Sequence, residues 1–415
     1  MRRRRDPQRH DSLAVSAPPN RGSGPLAGLR VIDAATIFAG PVAATTLADF
    51  GADVIKVEHP RGDSLRTLGW QKDGVSLWWA TANRNKRAVT LNLSDELGRD
   101  ALLRLVDSAD VLIENFRPGK MESWGLGWDV LRERNPGLIM LRVTGFGQTG
   151  PYSERVGFGT LAESMSGFAQ MNGHPDGPPT LPPFALADGV AALAGAFAVM
   201  AALRFRDVSG GQGQYIDLSI YEPLFWILGP QATVYDQLGL IQGRTGNRAP
   251  FTAPRNAYLT RDEQWLGLSA SSQSTAERTM TLVGRADMLA HEWFSDHTGR
   301  LGHQDEIDAA IAAWVGERDA DEVLAAFEAA GAAIAPMLDI AGIFQDPQFI
   351  HNDTITTVDD EVLGPVRMPN IIARLSGSPG CVISTGPALG QHNAEILGEE
   401  LGYSAEELEH LAGEA

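Results

Sequence analysis

The sequence predicts an α/β protein: a first, larger domain built on a parallel sheet covered by helices, followed by a smaller α+β domain. Two observations carry this. Between residues 29 and 143, short apolar runs alternate with helix-period segments, the pattern of strands buried on both faces with helical crossovers. After the Gly-, Arg-, Asn- and Pro-rich stretch 243–254, two strand-like pieces are followed by several amphipathic helices.

The elements follow in order. Leu29-Arg30-Val31-Ile32-Asp33 reads as a strand, and Ala39-Gly40-Pro41 turns into a helix, with Pro41 suited to the first helical position because it has no N–H to leave unpaired. Gly51 ends that helix, and Asp53-Val54-Ile55-Lys56-Val57-Glu58 is a second buried strand, completing a β-α-β unit. Strands at 88–93, 110–114 and 138–143 follow, with helices at about 95–107 and 127–134. From Gly157 to about Arg206 the pattern is helical. The run 189–200 is apolar on every side and is therefore expected to be buried. A tight turn at 210–213 leads into a strand at 214–220 and an apolar helix at 221–229. Strands at 255–259 and 265–269, helices at 305–315 and 320–330, and a final segment with its own strand, helix and acidic end complete the chain. The divisions expected are a disordered extension over 1–25, the first part of the large domain over 26–225, a linker over 226–254, a small domain over 255–335 and a C-terminal portion over 336–415.

Composition narrows the function. The 415 residues hold 34 Lys plus Arg against 52 Asp plus Glu, a formal charge of −18, which disfavours a general nucleic-acid binder. The Arg-rich first 25 residues carry +4, leaving −22 on the remainder, so a polyanionic or membrane partner would need a locally basic pocket. The four lysines, Lys56, Lys72, Lys86 and Lys120, all lie in one quarter of the chain. The single cysteine, Cys381, reads as a packing residue and rules out an internal disulfide or a cysteine metal cluster, pointing to a cytoplasmic setting. No uninterrupted apolar run reaches the roughly 18 residues of a membrane span, and no signal-peptide core is present. The histidines show no metal-ligand spacing.

Three motifs bear on chemistry, each with two readings. Glu58 stands about 20 residues past the first turn, where a dinucleotide fold holds a ribose, but Ala39-Gly40-Pro41 has one glycine where that fingerprint needs three. Lys56, Arg61, Arg66, Lys86, Arg87 and Arg117 could neutralise phosphates, or form a solvated strand edge. Asp188 opens the apolar helix after a proline-rich stretch. It reads either as an N-cap or as a partly desolvated nucleophile beside N–H groups that can stabilise an oxyanion.

Leu26 to Asp33, Ala39-Gly40-Pro41, Leu47 to Glu58, Asn83 to Arg87, Glu114 to Gly119, Thr144 to Pro151 and Leu389 to Asn393 follow one another in order. On these segments the chain, from Leu26 to the C-terminus, resembles the family III CoA-transferases, which include formyl-CoA transferase and the carnitine and bile-acid CoA-transferases. The resemblance implies a Rossmann-like large domain formed by both chain ends and an interlocked homodimer. It further implies that Asp188 is a covalent nucleophile passing CoA from an acyl-CoA to an organic acid, with no prosthetic group, metal or ATP. CoA contacts carried over by position fall on Ile37, Phe38 and Ala39, on His59, on Leu91, Asn92, Leu93 and Ser94, and on Asn115, Phe116 and Arg117. His59 and Ser123 stand where formyl-CoA transferase has basic residues, Phe38 replaces a glutamine, and Ser269 to Ser274 lies near the place of a glycine-rich loop, so oxalate and formate are not the expected substrates. The same fold hosts α-methylacyl-CoA racemase, whose second acid/base is a histidine where Phe158 stands here; a non-catalytic CoA-binding relative is a further alternative. With CoA as ligand, the clustered lysines predict a basic mouth on an acidic body, with Lys86 and Arg117 as phosphate contacts.

Overall fold

Arg30–Asp33 (β1) and Asp53–Glu58 (β2) pair in parallel with Val31 opposite Val54, joined through helix Ala39–Asp49 (α1). This is the expected β-α-β unit, with Pro41 at the third helical residue, still inside the first turn where its missing N–H costs nothing. In the computed structural model, which describes residues 23–413, these elements begin a six-stranded sheet. After a short antiparallel hairpin of Gln71–Lys72 (β3) and Val75–Ser76 (β4), the sheet gains Arg87–Thr90 (β5), Val111–Glu114 (β6), Ile139–Thr144 (β7) and Tyr215–Ser219 (β8). Its order is β5-β2-β1-β6-β7-β8 and every pairing is parallel.

Ile32, Ile55, Leu112, Met140 and the helix residues Leu102 and Leu105 form one buried cluster under the sheet, each side chain contributing about 1.5–3 kcal/mol of burial. The strand expected over 88–93 stops at Thr90, because the chain turns at Asn92, whose side chain accepts from the Ser94 N–H at 3.1 Å and whose carbonyl accepts from Asp95 N–H at 3.0 Å. At this edge strand the His392 N–H donates to Ala88 O (2.9 Å), His392 Nδ1 accepts from Ala88 N–H (3.0 Å) and Asn393 Oδ1 accepts from Thr90 N–H (2.9 Å). The Leu389–Asn393 motif therefore covers the open edge of β5.

The apolar helix runs Leu186–Val208. It packs at Gly195, where an added Cβ would stand 3.0 Å from Leu141 and 3.3 Å from Leu218, with Ala43 of α1 just beyond. Contrary to the all-round burial expected, its other face is open: Leu193, Met200, Phe205 and Val208 are exposed, and Phe197 is 76% accessible. By length and composition this helix could cross a membrane, yet one side of it lies on α1 and β7.

The described chain divides into two units, one of residues up to Gly159 with Ala185–Pro223 and Asp353 onward, the other of Thr160–Phe184 and Leu224–Asn352. The second unit has an antiparallel sheet of Arg255–Leu259 (β9), Trp265–Ser269 (β10) and Ile334–Pro336 (β11), with β10 in the middle. Helices Gln304–Gly316 and Ala320–Ala330 bury Ile307, Ile311, Val323 and Phe327 with Tyr258 and Leu266. The stretch read as a linker contains helix Gln231–Leu238, and 160–184 groups with this unit, not with the segments flanking it. The C-terminal segment has a hairpin, Ile355–Asp360 (β12) with Gly364–Pro369 (β13), before its two short helices. The extension expected over 1–25 lies outside the described residues, apart from residues 23–25.

Candidate active site

Because the sheet is wholly parallel, the carboxyl ends of its strands lie along one edge, where open α/β sheets bind ligands. Five segments of the candidate site come from loops at that edge. Ile37, Phe38 and Ala39 follow β1, His59 follows β2, Leu91 to Ser94 follow β5, Asn115 to Arg117 follow β6, and the 145–158 loop follows β7. The strand order reverses between β1 and β6, so the 34–38 and 115–119 loops flank the switch point. Asn115 bridges them there: its Oδ1 accepts from Thr36 N–H and its Nδ2 donates to Thr36 O, each at 2.8 Å.

Asp188 is the third residue of the long helix, in its first turn; the N-cap is Ala185, which makes no side-chain cap bond. Asp188 is therefore not the N-cap residue itself, and its carboxylate stands in the first turn, at the positive dipole end of the helix. It lies against Gly159, where an added Cβ would fall 3.0 Å from Asp188 Cγ and nearer still to Oδ2. Gly159 is delivered by a second close approach: a Cβ on Gly145 would stand 2.5 Å from the Gly157 Cα, so the two ends of the β7 loop cross backbone to backbone. Sequence reasoning met Gly145 in the Thr144–Pro151 motif and Gly157 before Phe158 without giving them or Gly159 a place in the site.

The carried-over positions differ in what they can offer. Phe38 is half-buried, edge-on to Trp78 with centroids 5.2 Å apart. Leu91 and Leu93 point into the core, so that stretch offers backbone, with Asn92 tied to Ser94 Oγ at 2.6 Å. Phe116 stacks edge-on with Trp124 at 5.0 Å, and Arg117 is exposed. His59 accepts the Arg61 N–H at Nδ1, and partial burial and the Arg61 charge hold it below its ordinary value, so at neutral pH it brings no cation. Phe158 is 57% exposed.

The basic cluster is corrected on both of its readings. Asn83, Arg84, Asn85, Lys86 and Arg87 are all buried, neither a solvated edge nor a phosphate cradle. Arg84 pairs with Asp49 (2.6 Å), Lys86 with Asp33 (2.8 Å) and Arg87 with Asp53, Glu395 and Glu400 (2.6–2.7 Å). Lys56, fully buried, donates to Ala35 O and lies 3.7 Å from Asp33 and 3.6 Å from Asp63. Glu58 takes Arg66 in a two-point pair at 2.7 Å and accepts the Asp63 N–H, which leaves no carboxylate for a ribose. Charge sign was visible in sequence and the partners were not. Among the described residues no set of three or more His, Cys, Asp and Glu could hold a metal ion.

Comparison with known proteins gives a consistent result. A model of CoA-transferase family III matches residues 26–393. The succinyl-CoA–D-citramalate CoA-transferase of Chloroflexus aurantiacus is 41% identical over 389 residues, spanning 93% of this chain and 96% of the relative. The beta subunit of succinyl-CoA–L-malate CoA-transferase from the same organism is 41% identical over 392 residues, spanning 93% and 96%. A solved CAIB/BAIF family protein from Brucella suis shares 33% identity with a TM-score of 0.80, covering 91% of this chain and 99% of that one.

Proposed function

Since the chain belongs to CoA-transferase family III and moves CoA from an acyl-CoA to a carboxylic acid, we propose that Asp188 is the covalent nucleophile of that transfer. The observation that carries this is the Asp188 carboxylate in the first turn of the 23-residue helix, seated on the bare Cα of Gly159. An Asp188 oxygen attacks the thioester carbonyl, giving a mixed anhydride and CoA thiolate. The thiolate returns to the aspartyl carbonyl, forming an aspartyl-CoA thioester and releasing the donor acid. The acceptor carboxylate attacks this thioester to give a second anhydride and thiolate, and the thiolate attacks the acceptor carbonyl, yielding the new thioester and free Asp188. One thioester replaces another, so the protein supplies orientation, oxyanion donors and exclusion of water.

CoA meets the carboxyl edge of the sheet through the Ile37–Ala39 turn, the backbone of Leu91–Ser94 and the Asn115–Arg117 loop, with His59 at its margin. The donors and acceptors are small dicarboxylic acids, following the succinyl, citramalate and malate in the relatives' names. The enzyme works as an interlocked homodimer in the cytoplasm; the exposed apolar face of Leu193, Phe197, Met200 and Phe205 supports the pairing of two chains. Racemase chemistry finds no support, because Phe158 carries no proton.

The test is Asp188→Ala, which abolishes exchange between succinyl-CoA and an acceptor acid while circular dichroism is unchanged. Hydroxylamine with acyl-CoA forms an aspartyl hydroxamate at Asp188 in the unmodified enzyme, detectable by peptide mass spectrometry. Exchange surviving in Asp188→Ala sinks the assignment.

A further inference from the structure

The turn between β1 and α1 is held by a set of buried charges that the covalent chemistry does not use. Asp33, Lys56 and Lys86 are 0–1% accessible and Asp63 is 6% accessible. Their contacts form a chain: Lys86 to Asp33 at 2.8 Å, Asp33 to Lys56 at 3.7 Å, Lys56 to Asp63 at 3.6 Å. Each member also binds the backbone of the turn or of α1. Asp33 Oδ1 accepts from Ala35 N–H (3.1 Å), Lys56 donates to Ala35 O, Asp63 accepts from Ile37 N–H through both oxygens (3.1 and 3.2 Å), and Lys86 donates to Pro41 O (2.7 Å). Four side chains from β1, β2, the loop after β2 and the segment before β5 thus converge on residues 35–41.

What they hold is strained. Ile37 has φ +66°, a conformation that costs a β-branched residue about 1–3 kcal/mol and persists only where its surroundings over-determine it. Gly40 is packed so that an added Cβ would strike Ala35, which closes the turn further. Buried ion pairs are poor sources of net stability, because desolvation offsets their attraction. Such an arrangement is better explained by what it positions.

We propose that Asp33, Lys56, Asp63 and Lys86 are positioning residues of the transfer reaction, fixing the Ala35–Ala39 backbone so that Phe38 and Ala39 meet the acyl-CoA thioester in one geometry. This rests on the reading above that the Ile37–Ala39 turn contacts acyl-CoA. Lys86 gives the device a pH signature. Its ammonium has three hydrogens for three near acceptors, Asp33 Oδ2, Pro41 O and Asn83 Oδ1 at 2.7–2.8 Å, with Ala82 O at 3.4 Å. The charged groups facing it are Asp33 from β1, Lys56 from β2, Asp63 from the following loop and Asp49 from α1. Burial foremost, with the Lys56 charge adding to it, brings its value down to about 8 against the pull of Asp33 and Asp63. A neutral amine has two hydrogens, so one of the three bonds is lost as the proton leaves.

The experiment measures kcat/KM for succinyl-CoA against pH, per folded enzyme, in the unmodified protein, Asp63→Asn, Lys86→Met and Phe38→Ala. Asp63→Asn, which keeps the shape and removes the charge, lowers kcat/KM by about ten- to hundredfold at a temperature where circular dichroism shows it folded. The unmodified enzyme loses activity above about pH 8, and Lys86→Met is weak throughout and lacks that limb. Folded Asp63→Asn with unchanged kcat/KM, or a Lys86→Met profile that keeps the limb, overturns the proposal. If neither variant folds, a flat profile through the alkaline range in the unmodified enzyme overturns it, and a limb there supports it. Phe38→Ala separates the two readings: if it leaves the acyl-CoA KM unchanged, the contact of this turn with acyl-CoA has failed, whereas a raised KM beside an unaffected Asp63→Asn fails the positioning alone.

Discussion

Replacing Gly159 by alanine puts the proposed nucleophile under direct test with a single methyl group. The added Cβ would lie 3.0 Å from Asp188 Cγ, whereas unforced carbon contacts are about 3.5–4.0 Å. Oδ2 is closer still, so the carboxylate must retreat by more than about 1 Å or rotate away. Nothing else suffers: the residue begins helix Gly159–Met165 and has no positive φ, so its backbone accepts alanine without strain. A displacement of this size at a nucleophile costs about ten- to hundredfold in kcat, or about 1.4–2.7 kcal/mol of transition-state stabilisation. The assay is initial-rate CoA transfer from succinyl-CoA to a dicarboxylate acceptor, followed by separation of the thioesters, with the melting temperature taken in parallel. Unchanged kcat in a folded Gly159→Ala enzyme would refute the claim that the bare Cα at 159 sets the carboxylate's place.

Three further outcomes are expected. Arg117→Ala, which removes an exposed cation beside Asn115, weakens CoA binding roughly two- to fivefold and reduces its salt dependence, measured by calorimetry at two ionic strengths. Phe197→Asp places a charge on the open face of the long helix and shifts the sedimentation of the proposed dimer to that of a 44.5 kDa chain. Asp49→Asn changes acid stability in a defined direction. Burial, outweighing Arg84, holds Asp49 above the usual carboxylate value of 3.8, so the folded protein binds this proton first and the group's contribution is largest below 3.8 and declines as pH rises through the folded value. The substitution therefore flattens the melting temperature against pH above 3.8, as differential scanning calorimetry will show.

The regular elements were legible where one signal dominated. Asp53–Glu58, Arg255–Leu259, Trp265–Ser269 and Ala320–Ala330 begin and end at the residues anticipated, because apolar continuity or helix period is strong and their ends are unambiguous. Signals failed where tertiary context decides. Asn92 ends β5 through a local side-chain bond that strand propensity does not register. The helix Gln231–Leu238 lay inside a stretch read as a linker and buries none of its residues, so it has little amphipathic pattern to show. The long helix is half open because its apolar residues belong to two faces, one of small residues on α1 and the sheet and one of Leu193, Phe197 and Met200 outside it. In the proposed site, Asp188 and the loop residues are assigned through motif order, whereas the close approach of Gly159 to Asp188 joins segments 29 residues apart and is visible only through space.

The same limit governs the charges. A body of −22 holding four lysines in one quarter suggested that those lysines exist to meet phosphates. The structure uses two of them internally, Lys56 and Lys86, each facing carboxylates that sequence had counted toward the repulsive total. Lys72 reaches the Leu363 carbonyl at 3.1 Å, and Lys120 lies over the Trp124 ring at 4.6 Å. Removing equal numbers of both signs into ion pairs leaves the net charge unchanged but empties the expected basic mouth. A polyanionic ligand at the carboxyl edge must then be met by the few cations still exposed there, such as Arg61 and Arg117, and by backbone N–H groups, which carry no formal charge and are invisible to any count of residues. It follows that salt should weaken CoA binding far less than six phosphate-bound cations would require, and that the buried lysines govern geometry while the exposed arginines govern attraction.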